Sequence, residues 1–352
     1  MTTLAKKNII IGQQEVKPGD RQFIDLALPP LYTHTSVSMP VHVINGRQPG
    51  PVLFVTATIH GDEINGIEII RRLLEIKSLN RLKGALIAVP VVNVYGFVAQ
   101  SRYLPDRRDL NRSFPGSERG SMAARLADLF MQEIISQCTH GIDLHTAAAG
   151  RDNLPQIRFD FDGNADARVM AKAFAPPVIL NSTPGEGTLR SAVGELPVIL
   201  YEAGEALRFD EVAIRAGVKG ILRVMRQLTM LPDLKKGDNK KSEAQNGPIF
   251  ATDSTWMRAP QSGILRTRVS LGDVVTRGQV LGIVADPFGE LEEEVVSDDP
   301  GVVVGMSNMP LVHEGEALFH VAQGGSNESA LKVVDAFQAE YDNADQNVSS
   351  GS

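Results

Sequence analysis

The sequence alternates apolar and amphipathic segments from Pro51 to Leu228, and this alternation limits the fold more than any other feature. The apolar segments are short and rich in β-branched residues, as buried strands are, and the amphipathic ones have helical periodicity. Strands separated by such helices form a mainly parallel sheet that is covered on both faces. The sequence therefore predicts an α/β fold, with strands at 52–59, 85–92, 141–144 and 196–202, and helices at 65–76, 121–137, 165–174 and 210–228.

Composition changes along the chain indicate its domain organisation. Residues 1–232 are predicted to form the α/β domain, with a strand-rich lead-in over about the first 50 residues. Residues 233–248 are rich in lysine and poor in apolar residues, which predicts a linker. Residues 249–323 contain short apolar segments with glycine turns and predict a small all-β domain. The tail, residues 324–352, is predicted to be partly disordered with one short helix near its centre.

The overall composition excludes several classes of partner. A net charge of −7 gives no electrostatic reason to expect nucleic acid or an anionic membrane. No apolar run is long enough to predict a transmembrane helix. The chain has a single cysteine, Cys138, so it forms no internal disulfide, and we expect a reducing, cytoplasmic location. Homo-oligomerisation stays open.

Three residues with zinc-binding side chains follow predicted strands. His60 and Glu63 lie where the first strand of the α/β region meets a helix, and His145 ends a later strand. Ligands of open α/β sheets bind outside the carboxyl ends of the strands. A histidine near a strand end is by itself more often structural, but three such residues at one predicted edge favour a metal. Hydrolytic zinc sites use three protein ligands and leave one position for water.

Two further carboxylates belong to the same predicted edge. Asp143 lies two residues before His145 on the same strand face, where it either orients an imidazole or is a structural aspartate that bonds backbone. Glu202 closes another buried strand, and a carboxylate there is costly unless it faces a polar site. Beside a zinc-bound water, Glu202 is predicted to be the general base and then the proton donor to the leaving amine.

A long loop, residues 93–120, contains the remaining candidates. Asn111 and Arg112 supply an amide and a planar guanidinium, which together suit a substrate carboxylate. One of Arg102, Arg107 and Arg108 could polarise the scissile carbonyl, and the others would then be surface charges.

Taken together, these segments resemble the succinylglutamate desuccinylase/aspartoacylase family, whose members are related to the zinc carboxypeptidases. The resemblance rests on four motifs in the family's order: His60-Gly61-Asp62-Glu63, Asp109-Leu110-Asn111-Arg112, Asp143-Leu144-His145 and Tyr201-Glu202-Ala203-Gly204. It implies one zinc ion per chain on His60, Glu63 and His145, with Glu202 as general acid/base and with Asn111 and Arg112 binding the substrate carboxylate. The pair Arg102-Tyr103 is similar to the family's Arg-Tyr and implies that Arg102 is catalytic, with Arg107 and Arg108 as alternatives.

The resemblance implies that the protein hydrolyses the amide bond of a small, anionic N-acylated amino acid. Its bacterial deacylase branch, which includes N-acetyl-diaminobutyrate deacetylases, is the most similar. A zinc carboxypeptidase acting on short peptides and a catalytically silent binding protein are the alternatives. The C-terminal segments resemble a biotinyl/lipoyl barrel, but no lysine occurs between Lys241 and Lys332 to carry a cofactor. We expect that domain to be a wall beside the cleft or an oligomer contact.

Overall fold

A mixed β-sheet organises the structure, a computed structural model that describes residues 8–233 and 247–342. Within these residues the sheet has nine strands, and five of its eight neighbouring pairs are parallel. The remaining three pairs are antiparallel. From one edge to the other, the strands are Ile249–Ala251, Val178–Asn181, Gln156–Phe159, Val198–Glu205, His140–Ala147, Gln48–Ala57, Lys83–Val89, Val37–Asn45 and Arg21–Leu28. This topology confirms the predicted mainly parallel α/β fold.

Helices cover the sheet on both faces. Alternate residues of the strand Gln48–Ala57 enter two separate hydrophobic cores, with Leu53 in one and Phe54 in the other. Each core is completed by helices whose apolar stripes face the sheet. The α-helices are Asn65–Leu74, Val94–Val98, Met122–Glu133, Ala165–Phe174, Leu189–Ala192, Glu211–Gln227 and Asn327–Asp342, with 3₁₀ turns at Lys77–Arg81, Leu110–Arg112 and Ile135–Gln137. None of the helices in the two described ranges has both the length and the apolar character needed to cross a bilayer.

The predicted elements match the structure, with differences at their ends. The predicted helix 121–137 ends as an α-helix at Glu133 and continues as the 3₁₀ turn Ile135–Gln137. Three short strands of the sheet were not predicted as part of it: Gln156–Phe159, Val178–Asn181 and Ile249–Ala251. Three or four residues are too few to establish a periodicity, so only their pairing with neighbouring strands makes them recognisable.

Two smaller antiparallel sheets follow the large one. The first contains Val274–Val275, Gly301–Ser307, Ala317–Gln323 and Asp253–Arg258, and the second contains Gly263–Thr267, Val280–Ala285, Glu292–Val296 and Leu311–Val312. Their facing side chains form a separate core around Leu281, Leu318 and Phe319. The helix Asn327–Asp342 packs beside this unit through Val333 and Val334. We call residues 253–323, with these two sheets, the C-terminal unit.

The predicted linker and the end of the tail lie mostly outside the described residues. Residues 234–246 and 343–352 belong to these undescribed parts. The chain resumes with Ile249–Ala251, which pairs in parallel with Val178–Asn181 and so adds an edge strand to the large sheet before the C-terminal unit begins.

Candidate metal centre

His60 and Glu63 lie in the turn that joins the strand Gln48–Ala57 to the helix Asn65–Leu74. Thr58 opens this turn with a φ of 59°, and Gly61 then passes so close to the next loop that a Cβ on it would lie 2.0 Å from the Gly96 carbonyl carbon. Only glycine fits there. The turn is therefore short and tightly held, and it presents both side chains at the carboxyl end of the strand.

His145 is on the adjacent parallel strand, His140–Ala147. Its ligand atom and those of His60 and Glu63 all lie within 4.8 Å of one another. The Nδ1 atom of His60 is 2.6 Å from one oxygen of Glu63, and the Nδ1 atom of His145 is 2.7 Å from the other. All three residues are buried, with exposed fractions of 4%, 2% and 6% for His60, Glu63 and His145. We call them the His–Glu–His cluster.

Two outer carboxylates determine how the imidazoles are turned. Asp109 lies 3.2 Å from Nε2 of His60, and Asp143 lies 2.9 Å from Nε2 of His145. Asp143 also accepts a hydrogen bond from the Thr56 hydroxyl, at 3.1 Å. With each Nε2 next to a carboxylate, each Nδ1 faces the inside of the cluster. This is the arrangement in which outer carboxylates orient ligand histidines and raise their basicity.

The electrostatics of the cluster favour an ionised carboxylate. Burial raises the pKa of Glu63, but the two neighbouring imidazoles lower it more, so that it stays far below its usual range. Burial lowers the pKa of His145, whereas Asp143 and Glu63 raise it, and the net change is upward. A buried anion between two imidazoles is the donor set that a divalent cation such as zinc prefers.

The loop before Asn111 brings one of the three candidate arginines to the cluster. The Arg102 guanidinium lies 3.4 Å from a Glu63 oxygen and 3.0 Å from Asp109. Arg107 and Arg108 are exposed to solvent. The structure thus places Arg102, and neither of its two alternatives, beside the predicted metal ligands.

Asn111 and Arg112 form the 3₁₀ turn that follows Asp109. The side-chain oxygen of Asn111 accepts a hydrogen bond from the backbone N–H of Leu189, at 2.9 Å. Arg112 is exposed and donates to the backbone carbonyl of Asn111, at 2.6 Å. The loop is therefore attached to the short helix Leu189–Ala192, an attachment that the sequence did not indicate.

Glu202 lies on the strand next to His145 and is its register partner in the parallel ladder. Register partners on neighbouring strands project from the same sheet face. The Glu202 carboxylate accepts a hydrogen bond from the Asn153 side chain at 2.8 Å and forms an ion pair with Arg158 at 2.9 Å. Sequence analysis identified neither contact, because both residues belong to short segments that have no recognisable pattern of their own.

Comparison with known proteins identifies the family. The model of the succinylglutamate desuccinylase/aspartoacylase catalytic domain matches residues 49–228, which is 180 of the chain's 352 residues. The chain belongs to the succinylglutamate desuccinylase/aspartoacylase family. This match contains the His–Glu–His cluster, the loop with Arg102 and the strand with Glu202.

Three similar proteins come from Halomonas elongata, Rhodobacter sphaeroides and Ruegeria pomeroyi. The N-alpha-acetyl-L-2,4-diaminobutyric acid deacetylase of Halomonas elongata is 27% identical over 301 residues, which are 82% of this chain and 86% of the relative. A succinylglutamate desuccinylase/aspartoacylase structure from Rhodobacter sphaeroides has a TM-score of 0.77, 23% identity, and coverage of 87% and 96% of the two chains. The product-bound ectoine utilization protein EutE (DoeB) of Ruegeria pomeroyi has a TM-score of 0.75, 24% identity, and coverage of 86% and 96%. The two structures establish that the fold is shared.

Proposed function

We propose that this protein is a zinc-dependent amidohydrolase that removes the acyl group from a small, anionic N-acylated amino acid. One observation carries the proposal: His60, Glu63 and His145 are buried together at the carboxyl ends of neighbouring strands, with ligand atoms within 4.8 Å of one another. Membership of a deacylase family supports the reaction class, and the similarity to the Halomonas elongata deacetylase supports an N-acyl amino acid as substrate.

The donor set fits zinc. Two imidazole nitrogens and one carboxylate are the ligands of known hydrolytic zinc sites, and the carboxylates on Nε2 of His60 and His145 leave Nδ1 free to bind. When bound, zinc supplies a Lewis acid that activates water and polarises the substrate carbonyl.

Arg102 is the group that we assign to the scissile carbonyl. Its guanidinium lies next to Glu63 but also contacts Asp109, so two carboxylates hold it in a fixed orientation. A fixed cation next to the ligands can stabilise the negative charge that develops on the carbonyl oxygen. Asn111 and Arg112, on the same loop, are assigned to the substrate carboxylate. Because the Asn111 oxygen accepts a hydrogen bond from the Leu189 backbone, we assign its amide N–H groups to the substrate.

Glu202 is the general acid/base in this proposal. As the register partner of His145, it projects from the same sheet face as that ligand. A carboxylate there takes a proton from the attacking water and delivers it to the leaving amine. A cytoplasmic location is also part of the proposal, and the single buried cysteine supports it.

A metal measurement combined with a substrate panel tests the proposal. Elemental analysis of the purified protein should find one zinc per chain, and removal of zinc by a chelator should abolish hydrolysis until zinc is restored. The panel contains N-acetyl and N-succinyl amino acids, including N-acetyl-diaminobutyrate, and peptides with free carboxyl ends. Turnover of the acyl amino acids is expected. Turnover of the peptides alone would make the protein a carboxypeptidase, and turnover of neither would leave a binding protein of the same fold.

A further inference from the structure

The C-terminal unit is connected to the catalytic sheet by a short strand, Arg151–Asn153. This strand follows the strand of His145 in the chain, yet it pairs with Gly301–Ser307 of the C-terminal unit. Asn153 is the register partner of Gly305 in this pairing. Gln156, which is fully buried, adds a second connection by donating to the Val304 carbonyl at 3.1 Å. The position of Asn153 therefore depends on both parts of the molecule.

Asn153 directs its side chain at the proposed acid/base. Its amide nitrogen donates to one Glu202 oxygen at 2.8 Å, while Arg158 lies 2.9 Å from the other oxygen. Asn153 is 5% exposed, so water competes little for this hydrogen bond. Hydrogen bonds from an amide to a carboxylate are stronger than those between neutral groups. The two contacts together define one orientation of the Glu202 carboxylate.

Gly305 provides the room that the Asn153 side chain occupies. A Cβ at position 305 would lie 2.6 Å from the side-chain oxygen of Asn153 and 3.3 Å from Cβ of His320. Real Cβ atoms essentially never come that close, so with a larger residue at 305 something must shift, and the nearest atom is the end of the Asn153 carboxamide. The close approach to Asn153, and not the φ of residue 305, is what favours glycine here.

We propose that Asn153 is a positioning residue for Glu202 and that the C-terminal unit completes the active site by fixing Asn153 through Gly305. This inference rests on the acid/base role proposed for Glu202. The carboxylate must be aligned with both the water and the leaving amine, and a misplacement of about 1 Å can cost about 100-fold in rate. In this proposal the C-terminal unit affects kcat by fixing the orientation of Glu202, in addition to any role as a wall of the cleft.

Three variants test the proposal: Asn153→Ala, the isosteric Asn153→Asp, and Gly305→Ala. Each should lower kcat by about 10- to 100-fold, whereas KM and zinc content stay within about twofold of the wild type. Asn153→Ala removes the amide donor to Glu202, Gly305→Ala displaces it, and Asn153→Asp replaces it with a carboxylate that cannot donate and that repels Glu202. The matched control is Asn308→Ala, since Asn308 also donates an amide hydrogen bond to a carboxylate, Glu205, at 3.2 Å. The control should keep the wild-type kcat.

The double variant Asn153→Ala/Gly305→Ala tests the connection to the C-terminal unit. If Gly305 acts through Asn153, the double variant should be no slower than Asn153→Ala alone, because the same interaction is lost only once. Additive losses would overturn the role of Gly305. If Glu202→Gln is inactive and either Asn153 variant keeps the wild-type kcat, the positioning role of Asn153 is overturned and the acid/base role of Glu202 stands. An active Glu202→Gln would instead overturn the proposed acid/base. Melting temperatures identify misfolded variants, and Asn153→Ala, which removes the donor and adds no charge, provides the decisive rate if its melting temperature is that of the wild type.

Discussion

Replacing Asp143 by asparagine should weaken zinc binding without unfolding the protein. Asp143 is 1% exposed, and its two oxygens contact His145 Nε2 at 2.9 Å and the Thr56 hydroxyl at 3.1 Å. Asparagine has the same shape. Its oxygen can accept from His145 while its amide donates to the Thr56 oxygen, so both contacts persist and only the Thr56 hydroxyl hydrogen loses its acceptor. The variant removes the negative charge and retains the packing.

The expected cost follows from the contact that is changed. Losing the charge lowers the basicity of His145 and weakens the preference for the orientation in which its Nδ1 faces the His–Glu–His cluster. Loss of such an outer carboxylate typically costs about 10- to 100-fold in metal affinity or activity, which corresponds to about 1.4 to 2.7 kcal/mol of binding free energy. In the zinc-free protein the change removes one partner of the buried His145–Asp143 pair, so its melting temperature should fall, and the zinc affinity is measured at a temperature where the variant is folded.

Competition with a zinc chelator of known affinity measures the effect. The zinc Kd of Asp143→Asn should rise by about 10- to 100-fold relative to the wild type. Asp128→Asn is the matched control, because Asp128 accepts a hydrogen bond from Gln132 on the surface helix Met122–Glu133. A Kd for Asp143→Asn equal to that of the control would refute the orienting role of Asp143.

Four further predictions concern the site and the pH dependence of stability. Glu202→Gln should retain zinc and lose about 10²- to 10⁴-fold in kcat, and normal turnover would exclude it as the acid/base. His60→Ala should lose both zinc and activity; retained stoichiometric zinc would contradict the ligand assignment. Arg102→Ala should lose about 10²- to 10³-fold in kcat with zinc retained, whereas exposed Arg107→Ala should match the wild type, and the reverse result would move the role to Arg107. Burial, with Arg158 nearby, lowers the pKa of His320 from 6.5 to about 3. Between pH 6.5 and 3, His320 therefore stays neutral in the folded protein while it takes up a proton in the unfolded chain. The free energy of unfolding should fall by up to about 1.4 kcal/mol for each pH unit across this range. Urea titrations at several pH values should show a smaller fall for His320→Phe than for the wild type.

The proposed metal ligands could be predicted from sequence because each of them lies at the end of a locally recognisable strand. Parallel strands present their carboxyl ends at one edge of the sheet whatever their order, so His60 and His145 were expected to meet before the order was known. The period of two along a strand likewise placed Asp143 on the face of His145. The structure confirms that these side chains lie together.

The surroundings of Glu202 could not be predicted in this way. Arg158 and Asn153 reach its carboxylate from the segments Gln156–Phe159 and Arg151–Asn153, which are too short to carry a pattern. One of these segments pairs antiparallel to the strand of Glu202, and the other pairs with the C-terminal unit. Sequence likewise left three arginines as candidates until the path of the loop placed Arg102 beside Glu63.

The sequence by itself determined the fold class, the family motifs and the three side chains that meet at the edge of the sheet. These properties depend on periodicity and on strand ends, which are encoded within a few residues of each position. Tertiary structure decided which residues hold Glu202, which arginine faces the cluster and how the C-terminal unit reaches the site. These contacts join segments that are distant in the chain. Strand pairing and burial require polar groups to have hydrogen-bond partners, and the pattern of nearby residues does not determine which partners they find.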